Sequence, residues 1–403
     1  MKAAPFQTSA VPRPPLWLLV LITLSGTLAM HMFVPALPAA GRDLMASTSA
    51  MQSTITLYIL GLAAGQLFYG PLSDCFGRRP VLRVGLVLYT AAGLAAAFAP
   101  DVEALIAARL LQALGGCSGL VLGRAIVRDT AGTDDTVKRL ALMNLMITIG
   151  PGLAPLIGTA LTATAGWRYI FLLLAGLGLV NLLFTWRLLP ETGHPSGVIN
   201  LSSLKRDYRA LFGSPAFMGF VIGGSCATMA VYAIIVSAPF ILLHELHRPV
   251  HEVGFFIVLL MVGISAGNAI TSRLVGKVAI ETVLVRANVL SLASASLFLL
   301  VTLLGLLNLV VAGALSFLFT LGVGMCGPGG VTKAISVKPS LTGTASGLYG
   351  FSQMMVGALC TAVVGLGSSP ATAAGLVMVG AGIIAQACLR MALAKEKALA
   401  GTT

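Results

Sequence analysis

The chain has 403 residues, of which 57% are hydrophobic and only 9% are charged, with a mean hydropathy of +0.96. Soluble domains carry about 25% charged residues, so this composition excludes a soluble protein and predicts a membrane protein. The net charge of +12 does not indicate a nucleic-acid binder, because the basic residues lie in short connections and form no stripe with interleaved aromatic residues.

Twelve apolar runs follow one another along the chain. Each is long enough to cross a bilayer as a helix of about 20 residues, and isolated strands cannot cross lipid. The runs therefore predict an all-α membrane protein. Their approximate limits are 16–38, 51–72, 81–99, 103–126, 139–164, 168–189, 215–241, 252–274, 282–303, 307–330, 341–366 and 371–393.

A hydrophilic connection at 190–214 divides the runs into two sets of six. The pair Gly77-Arg78 recurs as Gly276-Lys277 at a shift of about half the chain, although Arg273 then corresponds to Asp74. The repeat predicts two pseudo-symmetric six-helix bundles, residues 1–190 and 215–403, joined by a cytoplasmic linker at 191–214.

Basic residues in the connections predict the orientation. If the N-terminus lies in the cytoplasm, the Lys and Arg side chains of the connections fall on the cytoplasmic side, with the exceptions of Arg42, Arg168 and Arg248. The positive-inside rule therefore predicts that both termini are cytoplasmic.

A short charged turn lies between the second and third apolar runs. Gly70, Leu72, Asp74, Gly77 and Arg78, followed by a second arginine, resemble the G-x-L-x-D-x-x-G-R-[RK] loop of the major facilitator superfamily. The resemblance implies a charge network that latches the two bundles in one state. The residues of this predicted latch are Gly70, Asp74, Gly77, Arg78, Arg124, Arg128 and Asp129. Alternatively, the basic residues only anchor the helices at the cytoplasmic side.

The fourth run carries Arg109 and Gln112 on one helix face. An ionisable residue inside a span usually faces a cavity or a partner. The stretch resembles the R-x-x-Q-G-x-G pattern of the same superfamily, with two residues inserted before the glycine. We therefore predict that both side chains line the cavity; the alternative is that Arg109 snorkels to the interface.

The fifth run contains Gly150, Pro151, Pro155 and Gly158, which resemble the G-P-x-x-G antiporter motif of proton-coupled exporters. Prolines kink a membrane helix and glycines allow close packing. The alternative is a structural kink with no role in coupling.

The end of the first run resembles the D-x-Y-L-P-A-x-P signature of the Bcr/CflA group of drug exporters, with Pro35, Ala36 and Pro38 matching. His31 stands where the group carries an aspartate, to which the resemblance assigns proton coupling. Histidine titrates near neutrality and can replace that acid. The alternative is a neutral histidine that forms a hydrogen bond between helices.

Polar residues at helical spacing predict a central cavity with walls from both bundles. The predicted lining residues, besides Arg109 and Gln112, are Thr27 and His31 on the first span, Asn144 and Thr148 on the fifth, Tyr232 on the seventh, and Tyr349 and Gln353 on the eleventh. Each of them is equally explained by a hydrogen bond between helices.

The resemblance covers the whole chain and implies a Bcr/CflA-type exporter of small amphipathic molecules, driven by proton antiport with alternating access, in the bacterial inner membrane. We expect no enzyme activity, no cofactor, no metal and no nucleic-acid partner, and a monomer whose partners are substrate, protons and lipid. The alternative is export of an endogenous metabolite such as a siderophore or nucleoside. Because no acid lies deep in any apolar run, we expect neutral or carboxylate-bearing substrates.

Overall fold

The computed structural model describes residues 14–130, 150, 152–193, 201–274, 277–338 and 341–400. In this part of the chain, eleven helices are long and apolar enough to cross a membrane, and a shorter apolar helix supplies the fifth position. The helices are α1 (Leu16–Asp43), α2 (Thr48–Phe76), α3 (Arg78–Ala97), α4 (Val102–Thr130), α5 (Gly152–Thr164), α6 (Arg168–Leu188), α7 (Pro215–Glu245), α8 (Val250–Leu274), α9 (Ile280–Leu303), α10 (Leu309–Ser336), α11 (Thr342–Gly365) and α12 (Pro370–Ala400).

Large apolar side chains cover the outside of the helix bundle. Leu183, Leu300, Leu376 and Ile383 are each about half exposed. In water such a surface is unfavourable, whereas lipid tails solvate it at no cost. The protein is therefore a multi-pass membrane protein, as the composition predicts.

The structure corrects the predicted turn after the second apolar run. Helix α2 continues through Pro71 to Phe76, and Gly77 alone separates it from α3. Gly77 has φ +96° and ψ 155°, a conformation essentially restricted to glycine. Since one glycine makes the whole reversal, the side chains of Asp74 and Arg78 lie on helix ends and their positions are set by the helices.

The end of α1 is also longer than predicted. The helix tightens into a 3-10 turn at Val34–Ala36 and then continues to Asp43. Pro35 and Pro38 each lie in the first turn of a new helical segment, where the missing N–H leaves no hydrogen bond unmade. The prolines therefore bend α1 without ending it.

The two sets of helices pack in the same pattern. In the first set, α4 contacts α1, α2 and α3, and α6 contacts α1 and α3. In the second set, α10 contacts α7, α8 and α9, and α12 contacts α7 and α9. The helices thus form two pseudo-symmetric bundles of six, which we call the first half (α1–α6) and the second half (α7–α12).

The predicted linker contains a helix, Leu201–Phe212, that packs against the second half. Leu211 on this helix is buried, and Lys338 Nζ donates to the Ala210 carbonyl at 2.6 Å. The domain limits at 190 and 215 remain predictions, because residues 194–200 lie outside the described ranges.

The two ends of the bundle differ in how the halves meet. We name them the Arg78 end, which holds Arg78, and the Arg168 end, which holds Arg168. Toward the Arg168 end, Thr56 Oγ1 on α2 donates to Thr361 Oγ1 on α11 at 2.8 Å. Toward the Arg78 end, a methyl group added at Gly70 on α2 or Gly347 on α11 would meet no atom within 4 Å. The halves therefore touch toward the Arg168 end and leave open space near these two glycines.

Candidate functional site

A cavity of about 280 Å³ lies between the two halves. At about 30 Å³ for each water molecule, this volume corresponds to roughly nine waters and suits a small ligand. Its wall includes α1 from the first half and α7, α8, α10 and α11 from the second. The lining residues of this central cavity are Thr27, His31, Thr228, Met229, Val231, Tyr232, Ile235, Met261, Ile264, Asn268, Val323, Gly324, Gly327 and Gln353.

His31 is the only ionisable side chain among these lining residues apart from the phenol of Tyr232. It is 6% exposed, and its Nδ1 lies 2.8 Å from the Thr27 carbonyl oxygen. A carbonyl accepts hydrogen bonds only, so Nδ1 carries a proton and Nε2 is left to bind or release one. The His31 and Tyr232 ring centroids are 6.4 Å apart, which places one ring from each half across the cavity.

The second half supplies most of the polar wall. Gln353 Nε2 donates to Thr228 Oγ1 at 3.1 Å, which fixes α11 to α7 beside the cavity. Asn268 on α8 also lines the cavity and is absent from the predicted set. An asparagine in the middle of an apolar run is itself a signal of a functional position. The structure thus brings together Thr27, His31, Tyr232 and Gln353 of the predicted lining residues.

Arg109 and Gln112 lie off the wall of the central cavity, contrary to the prediction. Arg109 is fully buried, and its Nη1 donates to Gln112 Oε1 at 2.7 Å. Its guanidinium carbon lies 3.9 Å from the ring centroid of Tyr58, 5.4 Å from that of Phe33 and 5.6 Å from that of Phe171. Aromatic faces therefore stabilise the cation in place of the water that a cavity would supply.

No carboxylate pairs with Arg109 among the described side chains, and its Nε and Nη2 make no hydrogen bond there. A buried cation without a counter-ion is costly, and three aromatic rings offset that cost only in part. The first half thus holds a buried positive charge that is not among the lining residues of the central cavity.

Tyr349 is also absent from the cavity wall. It is 2% exposed and packs between α7 and α10, where a methyl group added at Gly224 or Gly330 would meet its hydroxyl oxygen at 2.6 Å. The two glycines make the room for the ring, so Tyr349 serves the packing of the second half. Asn144 and Thr148 lie outside the described residues.

The described part of the helix-five motif forms packing contacts. A side chain at Gly158 would collide with the Met32 carbonyl on α1, and Pro155 is buried in the same helix. Next to them, a side chain at Gly254 on α8 would meet Thr159 Oγ1 at 2.7 Å. These contacts hold α5 against α1 and against the second half. Gly150 packs on Leu24, and Pro151 lies outside the described residues.

An ion-pair cluster occupies the Arg78 end of the first half. Arg78 Nη1 lies 2.6 Å from Asp74 Oδ1 on α2, and Arg78 Nε lies 3.0 Å from Asp129 Oδ2 on α4. The Arg78 side chain is 16% exposed, whereas that of Asp74 is 64% exposed. These two ion pairs join helices of the first half to each other, and the predicted latch between the halves remains a prediction.

One described residue of the predicted latch lies away from these ion pairs. Arg124 is exposed and makes no ion pair with Asp74, Arg78 or Asp129 among the described side chains. The Arg128 side chain lies outside the part of the chain that the structure describes. Gly70 has open space beside it.

Glu191 completes the cluster and is absent from the predicted latch. Its carboxylate accepts hydrogen bonds from the backbone N–H groups of Arg78 at 2.8 Å and Arg79 at 3.1 Å. These are the first N–H groups of α3, where a carboxylate is favoured. A side chain at Gly77 would meet the Glu191 carboxylate at 2.8 Å. Gly77 therefore serves both the reversal of the chain and the approach of Glu191.

Comparison with known families matches residues 19–361 to the Major Facilitator Superfamily. The uncharacterized MFS-type transporter YdgK of Bacillus subtilis is 30% identical over 380 residues, which cover 90% of this chain and 91% of that protein. The bicyclomycin resistance protein homolog of Haemophilus influenzae is 26% identical, with 83% and 84% covered. The chloramphenicol resistance protein of Pseudomonas aeruginosa is 38% identical over 171 residues, with 42% and 41% covered.

Among solved structures, a D-xylose-proton symporter superimposes with a TM-score of 0.71 at 15% identity, and the match covers 92% of this chain and 96% of that one. At this identity the likeness concerns the fold alone. It agrees with the two pseudo-symmetric halves described above.

Proposed function

We propose that this chain, which belongs to the Major Facilitator Superfamily, exports small amphipathic molecules that bind in the central cavity. The observation that carries the proposal is a cavity of about 280 Å³ whose wall comes from both halves, with the rings of His31 and Tyr232 facing each other across it. The names of two relatives, which refer to bicyclomycin and chloramphenicol resistance, support antibiotic efflux as its activity.

The cavity favours neutral substrates. Its polar groups are hydroxyls, amides and one imidazole, and no carboxylate is among its lining residues. A cation that leaves water without a counter-charge is strongly disfavoured. Arg109 is not among the lining residues, so its charge acts on the cavity only at a distance. Met229 and Met261 provide flexible apolar surface that adapts to different ligands.

His31 carries the transported proton in this proposal. Nε2 is available for protonation because Nδ1 already faces the Thr27 carbonyl. Protonation creates a charge that the apolar wall disfavours, and a neutral substrate and a proton therefore compete for the same cavity. Such competition couples export of the substrate to entry of a proton, which is antiport.

The remaining parts of the proposal concern orientation and movement. The Arg78 end faces the cytoplasm of a bacterial cell, since the basic residues of the connections cluster there. The halves rock about the central cavity and expose it alternately at the two ends. The transporter works as a monomer in the inner membrane, because each chain contains both halves.

The proposal is tested in an efflux-deficient bacterial host that expresses the chain. We expect the minimum inhibitory concentrations of chloramphenicol and bicyclomycin to rise. That of the permanent cation ethidium should not change. Tyr232→Phe removes one hydroxyl from the cavity and should change the ratio of the two antibiotic responses. Tyr208→Phe makes the same change on the linker helix and should leave both responses unaltered.

Two outcomes contradict the proposal. If the chain confers resistance to ethidium and no resistance to the neutral antibiotics, the cavity does not favour neutral substrates. Unchanged sensitivity to every antibiotic, combined with release of a cellular metabolite that depends on the expressed chain, would replace antibiotic efflux by metabolite export.

A further inference from the structure

A second pocket, of about 170 Å³, lies between the halves at the Arg168 end. The end of α1, the connection after it and the start of α2 supply Leu37, Arg42, Ala46 and Met51, and the end of α7 supplies Phe240 and His244. We call this the peripheral pocket. It shares no lining residue with the central cavity. The pocket exists only where the two halves meet, so any ligand bound there touches both of them.

The pocket is apolar on one side and cationic on the other. Leu37, Met51 and Phe240 form the apolar side, and the Phe240 and His244 ring centroids are 5.9 Å apart. Arg42 supplies a permanent positive charge, and the described side chains include no carboxylate that pairs with it. Arginine binds carboxylates through two parallel N–H bonds, and the imidazole of His244 adds a further donor.

The acids next to the pocket are already engaged elsewhere. Asp43 forms an ion pair with Arg168 and accepts a hydrogen bond from Trp167 Nε1 at 3.1 Å. Glu245 accepts hydrogen bonds from Ser369 Oγ at 3.0 Å and from the Ala371 N–H at 3.2 Å. Neither carboxylate forms an ion pair with Arg42, so its guanidinium is available to an anion in the pocket.

We propose that the peripheral pocket binds a small aromatic carboxylate, with its ring on the apolar side and its carboxylate at Arg42 and His244. The volume corresponds to about five or six water molecules, which is room for one aromatic ring and one small polar group. The bound molecule bridges the two halves and stabilises the contact between them at the Arg168 end. This binding does not depend on transport through the central cavity.

The test is a ligand-observed NMR titration of the purified full chain in nanodiscs of uncharged lipid. The probes are benzoate, benzamide and benzamidine, which share one ring and differ in charge. We expect benzoate to bind at least about tenfold more tightly than benzamide, because only benzoate can form a charge-assisted bidentate contact with Arg42, and we expect benzamidine not to bind. Arg42→Gln should remove the difference between benzoate and benzamide.

Further variants locate the binding. His244→Gln should weaken benzoate severalfold, whereas His251→Gln, which changes a nearby histidine outside the pocket, should not. Ala46→Phe fills the pocket and should abolish binding of both benzoate and benzamide, while His31→Leu in the central cavity should preserve it. Equal affinities for benzoate and benzamide, or a benzoate preference that survives Arg42→Gln, would overturn the proposal.

Discussion

At the Arg78 end, each half ties its helices together with one cation that lies between two acids, but the helices that carry these charges differ. In the first half, a cation on α3, Arg78, lies between acids on α2 and α4. In the second half, a cation on α10, Lys333, lies between Glu281 on α9 and Glu396 on α12. Helices α2, α3 and α4 correspond to α8, α9 and α10, so the two clusters share only the α3–α4 pair and its counterpart α9–α10. In that pair the charges are exchanged: the cation lies on α3 in the first half and on α10 in the second. The pseudo-symmetry therefore keeps a tie between these two helices but not the helix that carries the cation.

The clusters differ in what else they hold. In the first half, Glu191 follows α6 and caps the N-terminus of α3, so the cluster includes backbone and fixes the start of the linker. In the second half, Lys333 Nζ reaches both acids by side-chain contacts alone, and its side chain is 13% exposed. We conclude that the first cluster controls a chain reversal and the second is a local tie.

At the Arg168 end, by contrast, the two halves use the same kind of contact. Asp43 at the end of α1 binds Trp167 and Arg168 at the start of α6. Glu245 at the end of α7 binds Ser369 and Ala371 at the start of α12. One acid at the end of the first helix of each half thus holds the start of its sixth helix. The pseudo-symmetry is closest where the halves touch and weakest where open space lies beside them.

The largest loss of stability is expected from a substitution at Gly77, where the chain reverses beside the first cluster. Gly77→Ala forces a side chain into a backbone region essentially restricted to glycine and against the Glu191 carboxylate, at a cost of about 2–3 kcal/mol. The thermal unfolding midpoint of the purified protein should fall. Gly176→Ala is the matched control: Gly176 lies within α6, a side chain there would meet no atom within 4 Å, and alanine should raise the midpoint slightly. Equal midpoints for the two variants would show that the reversal is not strained.

An intermediate change in stability is expected at Arg78 and a smaller one at Lys333, the cations of the two clusters. Arg78 contacts Asp74 and Asp129 through different nitrogen atoms, which a lysine cannot do, so Arg78→Lys should cost about 1 kcal/mol. Lys333 contacts its two acids through the single Nζ, so Lys333→Arg should change stability by less than about 0.5 kcal/mol. The same thermal unfolding assay measures both. A larger loss for Lys333→Arg would reverse the assignment of roles.

The smallest effect on stability concerns the predicted latch. The Asp74 side chain is 64% exposed, so Asp74→Asn should change stability by less than about 0.5 kcal/mol. If Asp74 latches the halves in one state of the cycle, the variant should nevertheless lose most of its transport. The matched change in the second half, Glu281→Gln, should transport normally. Normal transport by a well-expressed Asp74→Asn protein would rule out the latch.

The sequence predicts the elements of this fold better than their contacts. Apolar runs set by the length of a bilayer-spanning helix locate the helices, and polar residues such as Thr27, His31 and Tyr232 at mid-span predict the cavity. Helix ends are less predictable: α2 passes through Pro71, since a membrane helix tolerates a proline where neighbours satisfy the freed backbone groups.

Contacts between distant residues explain what sequence reasoning missed. Arg109 lies among Phe33, Tyr58 and Phe171 from three other helices, and no spacing along the chain reveals that they meet. Glu191 contacts Arg78 although it lies 113 residues later in the chain. The contacts of both side chains depend on tertiary packing. Their positions along the chain, in a span and in a linker, therefore do not predict their neighbours.

If a proton and a neutral substrate compete for the cavity at His31, a pH gradient should drive transport. Efflux of chloramphenicol from proteoliposomes, with and without an imposed pH gradient, measures this coupling. We expect that the gradient drives efflux by the native chain, that His31→Gln binds chloramphenicol but does not respond to the gradient, and that His31→Asp responds again. Full gradient-driven efflux by His31→Gln would contradict it.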